Sequence, residues 1–348
     1  MRESAFLEWM SKNTPTQWCN DSALPGDYRQ AMKYGAIGCT TNPPLTYQAI
    51  VEHPELYAAQ VEKIKREIPA PADRVVEYLG IVVRNISNDF LGLHKQSGGK
   101  LGFVRSQVEP RLSDDAEAML RMGKRISRFN ENVMVKLPGT EAGLWAMEEL
   151  VAEGVPTTAT VCVSLPQVVA SAEAYARGCA RAVKGGIAAP QSTVAFVMGR
   201  LQDYLVSLNE QSGSPLPISD IEVSCLAIAK KASWLFKERR YALRIMPAAF
   251  RCAMQVVELV GGDFHMTIHP KIQDEIIAQD KKAPIPKQCL VDRPVAEKAI
   301  IRVMKALPEF KRAYEIDGMK VSEFGEFGAT KMTLEGFDRT GWQKLVAL

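Results

Sequence analysis

Lys136 stands in the middle of an otherwise apolar run, Val133-Met134-Val135-Lys136-Leu137-Pro138. Burying an ammonium is costly unless it is paired or gives up its proton, so a lysine so placed is driven toward the neutral form. A neutral amine is a nucleophile. It can condense with a ketone to a Schiff base, which serves as an electron sink for breaking or making the adjacent carbon–carbon bond. The alternative is a strand-end lysine whose stem packs while its ammonium reaches water, and this segment alone leaves both readings open. Other polar residues close apolar runs in the same way: Asp21, Thr40-Thr41-Asn42, Gln107, Thr158 and Thr160. A carboxylate and hydroxyls near such an amine are the groups that would move its protons.

The elements that must position these residues alternate. Strand-like runs fall at 17–22, 36–42, 101–108, 133–138, 157–163, 193–198, 243–248 and 264–269. Helical patterns lie between them at 75–96, 114–129, 141–153, 165–183, 218–239 and 253–261, with Asp114 and Glu117 as a capped start. Eight strands with intervening helices predict a closed (β/α)₈ TIM barrel, since a doubly wound sheet would want a Gly-rich turn after the first strand, which is missing. Extra helices are expected after the second strand, at 44–52 and 54–67. A helical, charged C-terminal extension over 270–348 has patterns at 295–307, 310–315 and 321–327. We expect one domain over 1–348, with 17–269 as the barrel core. In such barrels chemistry sits at the carboxyl ends of the strands, where the polar residues above fall.

Alternation then sorts the faces. With Lys136 and Met134 inward, Val133, Val135 and Leu137 face the helices, and on the third strand Arg105 and Gln107 share the inward side with Phe103. His265 reads as a core histidine and His269 as a residue of the barrel mouth. Lys230-Lys231 reads as part of a solvated helix face.

The chain has 348 residues, 47% hydrophobic and 24% charged, and a net charge of +3. That balance argues for neither nucleic acid nor a membrane as partner, and it suits a small anionic substrate. No apolar run is long enough to span a bilayer, and Met1-Arg2-Glu3-Ser4 opens no signal peptide, so a cytoplasmic location is expected. The seven cysteines are scattered and never in a Cys-x-x-Cys pair, as befits reduced thiols, and the four histidines lack metal-ligand spacing. No metal is expected.

Several ordered segments resemble the transaldolase family, and the match runs through most of the chain. Thr40-Thr41-Asn42-Pro43-Pro44-Leu45 looks like its Thr-Thr-Asn-Pro-Ser-Leu signature. Val135-Lys136-Leu137-Pro138, followed by Gly154-Val155-Pro156-Thr157-Thr158-Ala159-Thr160, looks like its Schiff-base strand and the next one. Ala248-Ala249-Phe250-Arg251 resembles Ala-Ser-Phe-Arg, and Thr267-Ile268-His269-Pro270 resembles Thr-Ile-Ser-Pro. The resemblance implies a transaldolase moving a three-carbon dihydroxyacetone unit from a ketose phosphate to an aldehyde, with no organic cofactor. Lys136 would form the Schiff base, Asp21 would take the C4 hydroxyl proton, and Gln107 and Thr160 would hold a proton-shuttling water. Asn42, with Thr40 and Thr158 beside it, would bind the ketose, and Arg200 and Arg251 would hold its phosphate. Sugar phosphates are then the partners, and the subunit count, monomer or homo-oligomer, stays open.

Three departures qualify this. Gln107 replaces the family's usual Glu and resembles the fructose 6-phosphate aldolase branch, whereas Phe196-Val197-Met198-Gly199-Arg200 lacks that branch's Tyr. Ala249 replaces a Ser. Arg105 falls where a small residue is usual and must find a partner, either Asp21 or an anionic group of a substrate that it binds. Two further readings therefore stand beside transaldolase: a reversible aldolase releasing dihydroxyacetone, and a sugar-phosphate-binding protein without turnover.

Overall fold

The computed structural model describes residues 5–213 and 215–348; Met1-Arg2-Glu3-Ser4 lie outside them. The chain begins with α1 (Ala5–Asn13), β1 (Gln17–Asn20), α2 (Pro25–Lys33) and β2 (Gly38–Thr40), followed by α3 (Pro43–Glu52), α4 (Pro54–Glu67) and α5 (Pro71–Gln96). Then β3 (Phe103–Gln107), α6 (Ala116–Ile126), β4 (Val133–Pro138), α7 (Glu141–Ala152), β5 (Thr157–Cys162), α8 (Leu165–Lys184) and β6 (Ser192–Val197) follow. The barrel ends with α9 (Met198–Glu210), α10 (Ile218–Arg239), β7 (Arg244–Ala248), α11 (Ala253–Val257) and β8 (His265–Ile268).

The eight strands form one parallel sheet in the order β7-β6-β5-β4-β3-β2-β1-β8, and a parallel bridge between Ile245 and Phe264 joins its two edges. This is the (β/α)₈ barrel that the sequence predicts. Parallel strands buried on both faces need apolar residues on the helix side, and Val133, Val135 and Leu137 supply them on β4. Gly123 of α6 lets that helix lie close, since a Cβ there would stand 3.3 Å from Val135 Cγ1. One continuous buried cluster reaches from Phe6 to Leu345.

Helices leave the carboxyl ends of the strands through side-chain caps. Asn42, Asp115, Thr140 and Ser164 each accept a hydrogen bond from the backbone N–H three residues on. The cap of α6 is thus Asp115 and not Asp114. The sequence reading lacks α1, α2 and α9. The last starts directly out of β6, with Val197 as its N-cap, so no turn residue announces it. Strand ends were also read long, and α11 stops at Val257 instead of 261.

After β8 come α12 (Pro270–Lys282), α13 (Glu297–Ala306) and α14 (Pro308–Tyr314). Where the sequence suggests a helix at 321–327, only a 3₁₀ turn, Val321–Glu323, forms. Beyond it α15 (Gly328–Phe337), a π-helical turn (Asp338–Trp342) and α16 (Gln343–Val346) return to the barrel mouth. Gly341 of that turn approaches α3 so closely that a Cβ would lie 2.3 Å from Pro44 Cδ. Lys230 does not belong to a solvated face. Its ammonium donates to Glu258 at 3.0 Å and to the Leu290 and Arg293 carbonyls at 2.8 Å, pinning the segment before α13.

Candidate active site

Strand register assembles the site before any side chain is considered. Gln107 pairs with Lys136 across β3 and β4, and Lys136 with Thr158 across β4 and β5. Asp21 directly follows β1, its N–H held by the Ile268 carbonyl of β8 at 3.2 Å. At this end of the barrel lie two adjoining cavities, an outer one of about 360 Å³ and an inner one of about 70 Å³. They share Asp21, Asn42, Arg200, Ala249 and Phe337 as walls.

Lys136 lies in the inner cavity. It is 6% exposed, and Nζ donates to the Thr41 carbonyl at 3.0 Å. Burial lowers its pKa to about 8; Asp21 opposes the shift and Arg105 adds to it. About a tenth of this amine is therefore unprotonated at pH 7, several hundred times the share of an ordinary lysine, and the neutral form is the one that attacks a carbonyl.

Asp21 is partly exposed and belongs to a short relay. Thr40 donates to its Oδ1 at 2.6 Å, and with its one proton so committed, the Thr40 oxygen accepts from Thr267 at 2.6 Å. This fixes one carboxylate oxygen and leaves the other turned to the cavity chemistry. Asn42 caps α3 through Oδ1, accepting from Leu45 N–H at 2.9 Å, so its amide N–H₂ stays available to the cavity it lines.

Thr160 also lines the inner cavity. It precedes a bulge: register shifts between Ala159 and Cys162, and Val161 takes φ 57°, a left-handed conformation that is an outlier for a β-branched residue. The bulge turns Val161 onto Leu334 and Phe337 of α15. A second left-handed residue, Ala249 at φ 58°, follows β7. Gly199 makes that turn possible, because a Cβ there would stand 1.8 Å from the Ala249 carbonyl oxygen.

Two arginines close the outer cavity. Asp203 holds Arg251 through Nε at 2.8 Å and through Nη2, while Nη1 donates to the Ala249 carbonyl. Arg200 lies over the Phe337 ring at 5.6 Å and, among the described residues, has no ion pair. Burial and the neighbouring Arg251 lower its pKa, against the pull of Asp203 and Asp21. An unpaired, half-buried guanidinium beside a cavity suits an anionic group.

Not every expected residue meets the cavities. Gln107 is buried behind Lys136, its Oε1 without a protein partner. Thr158 shares a hydrogen bond with Thr193 at 2.9 Å and lines neither cavity. Arg105 is 1% exposed, lines neither cavity and, among the described residues, has no ion pair with Asp21; its Nη1 donates to the Cys19 thiol at 3.4 Å. It follows the inward face of β3, and its side chain runs across the barrel interior to Cys19 of β1.

His265 is buried with Nε2 accepting from Arg244 at 2.9 Å and its pKa is well below the usual value, as a core histidine's is. His269 lines the outer cavity and caps α12. Sequence reasoning missed Phe337, Thr340, Lys271 and Thr267. Phe337 arrives from the end of α15 and Thr340 from the π-helical turn after it, for which no local signal exists; Thr267 lies in a strand-like run and a segment of resemblance, neither of which marks it as a cavity residue. Among the described residues no three His, Cys, Asp or Glu side chains are grouped to hold a metal ion, and no helix is long and apolar enough to cross a membrane.

The transaldolase of Neisseria gonorrhoeae (strain ATCC 700825 / FA 1090) is 33% identical over 184 residues, covering 52% of each chain. Transaldolase of Kocuria rhizophila is 30% identical over 219 residues, 58% of this chain and 59% of that one. Transaldolase 2 of Nostoc sp. (strain PCC 7120) is 30% identical over 172 residues, 48% of this chain and 45% of its own. The chain thus spans about half the length of the curated relatives it matches. A model of the family described as transaldolase/fructose-6-phosphate aldolase matches residues 20–320, and the chain belongs to that family.

Proposed function

We propose that this protein transfers a dihydroxyacetone unit from a ketose phosphate to an aldehyde through a Schiff base on Lys136. The observation that carries this reading is a buried amine of lowered proton affinity facing the same small cavity as a carboxylate, Asp21. In the reaction, Lys136 Nζ adds to the ketose C2 carbonyl. The carbinolamine then loses water, with Thr160 and Gln107 holding the water that shuttles the proton. Asp21 takes the C4 hydroxyl proton as the C3–C4 bond breaks, and that bond's electron pair flows toward the iminium nitrogen to leave an enamine. The aldehyde departs, the enamine adds to an acceptor aldehyde, and hydrolysis frees the lysine. Arg200 and Arg251 would hold the phosphate at the outer cavity, and Asn42 a hydroxyl. Such substrates are made and used in the cytoplasm, which is where this reading places the protein.

The test is borohydride reduction in the presence of a ketose phosphate, with the adduct located by mass. Wild type should carry it on Lys136 and Lys136→Ala should carry none; equal labelling of both refutes the reading. Gln107 favours one rival, reversible aldol cleavage, because an amide holds water but cannot take its proton. Donor turnover with no acceptor aldehyde present would select that rival.

A further inference from the structure

The barrel interior holds a second cation beneath Lys136. Arg105 lies inward on β3, one inward position below Gln107 and opposite Met134 in register. Among the described residues no carboxylate pairs with it. Nη1 meets the Cys19 thiol, and Nε has no protein partner. Its other neighbours are neutral: burial raises the Cys19 pKa, and burial together with Arg105 and Arg244 holds His265 uncharged. Gly38 of β2 lies beside this side chain, its absent Cβ 3.5 Å from Nη1, and is held to glycine by the Phe103 carbonyl oxygen, which a Cβ would meet at 2.4 Å.

A buried charge without a counter-ion is strongly unfavourable, and a guanidinium cannot relieve it by losing a proton. The field therefore falls on the next group that can titrate. Lys136 is faced by Asp21 after β1, by Cys39 on β2 and by Arg105 on β3. Cys39 is held as a neutral thiol by burial, and Arg200 lies farther out, at the mouth.

We propose that Arg105 is a positioning residue whose fixed positive charge adds to burial in disfavouring the ammonium form of Lys136 and favours the steps in which positive charge leaves that nitrogen. The inference rests on the Schiff-base reading above. In the cleavage step the C3–C4 electron pair becomes the C2–C3 double bond, the C=N π pair returns to nitrogen, and the C4 hydroxyl proton goes to Asp21. Nitrogen loses its charge, so repulsion from Arg105 is relieved as the enamine forms.

The test follows adduct formation on Lys136 with dihydroxyacetone and cyanoborohydride across pH, in wild type and Arg105→Met. The inflection should move to higher pH, with the rate at pH 7 down about fivefold to tenfold and the alkaline plateau kept. A lowered plateau with an unmoved inflection would mean a structural role and overturn the proposal. Cys19→Asp, which sets a carboxylate against the guanidinium, should move the inflection the same way with Arg105 still present. It decides the matter if Arg105→Met fails to fold, and an unmoved inflection there also overturns the proposal. Wild type forming no Lys136 adduct at any pH would sink the Schiff-base reading itself, and this inference with it.

Discussion

Replacing Lys136 by methionine should stabilise the protein while abolishing its chemistry. In the unfolded chain the amine titrates near 10.5 and in the fold near 8. Between these values the unfolded chain holds the extra proton, so wild-type stability rises with pH across that window and is lowest below about 8. At 1.36 kcal/mol per pH unit, the drop from 10.5 to about 8 amounts to roughly 3 kcal/mol of burial cost at pH 7. Methionine removes that cost and forfeits the hydrogen bond to the Thr41 carbonyl, worth about 1 kcal/mol, so a net gain of about 2 kcal/mol is expected. Urea midpoints for both proteins at pH 7 and near pH 10 measure it. The tyrosines, the cysteines and Lys230 titrate in both proteins, so the difference isolates Lys136. The advantage of the variant should shrink as pH rises. A variant less stable than wild type at pH 7, or an advantage that ignores pH, would refute the argument that burial disfavours the ammonium form.

Other changes probe the rest of the site. Asp21→Asn keeps the hydrogen bond from Thr40 but cannot take a proton, so turnover should fall by about 10²- to 10⁴-fold while adduct formation on Lys136 survives; loss of both together would remove the base role. Arg200→Met should raise KM for a phosphorylated donor by roughly 10- to 100-fold and leave an unphosphorylated one nearly unchanged, and equal effects on both donors would argue against phosphate contact. Gly199→Ala forces its Cβ into the Ala249 carbonyl and to 2.6 Å from Arg251 Nη1, so a loss of at least about 2 kcal/mol in the unfolding midpoint is expected, with raised KM in whatever folds. An unchanged midpoint would show that the Ala249 turn yields freely.

The eight strands were legible because a sheet buried on both faces writes itself as short apolar runs, and Lys136 stood out because it interrupts one. Alternation correctly put Arg105, Gln107 and Lys136 on one side. It says nothing about how far a long side chain travels once inside. Arg105 ends against Cys19 of β1, a partner set by the three-dimensional packing of the barrel interior that no pattern within β3 announces. The outer wall was illegible for a different reason. Phe337 ends α15 and Thr340 lies in the π-helical turn after it, whose seating involves Gly341 against Pro44, a contact nearly the whole chain apart. Arg200 and Arg251, by contrast, follow the ends of β6 and β7, and strand position alone directs them to the mouth.

The strain at Val161 gives that outer wall a consequence. A β-branched residue in the left-handed region costs on the order of 1–3 kcal/mol, and the fold spends this beside Thr160, where the bulge both re-aims the threonine and turns Val161 onto Leu334 and Phe337. Val161→Gly would relieve the strain and lose the buried side chain, worth about 1.5–3 kcal/mol. The two nearly cancel, so the unfolding midpoint should move by no more than about 1 kcal/mol. Function should not be so indifferent. Phe337 loses a packing partner, and with it Arg200 loses a fixed ring beneath its guanidinium. KM for the donor should therefore rise severalfold while Lys136, on the neighbouring strand, keeps its adduct chemistry. A large fall in stability would mean that the contact and not the strain dominates. An unchanged KM would mean that the C-terminal return merely covers the barrel and takes no part in binding.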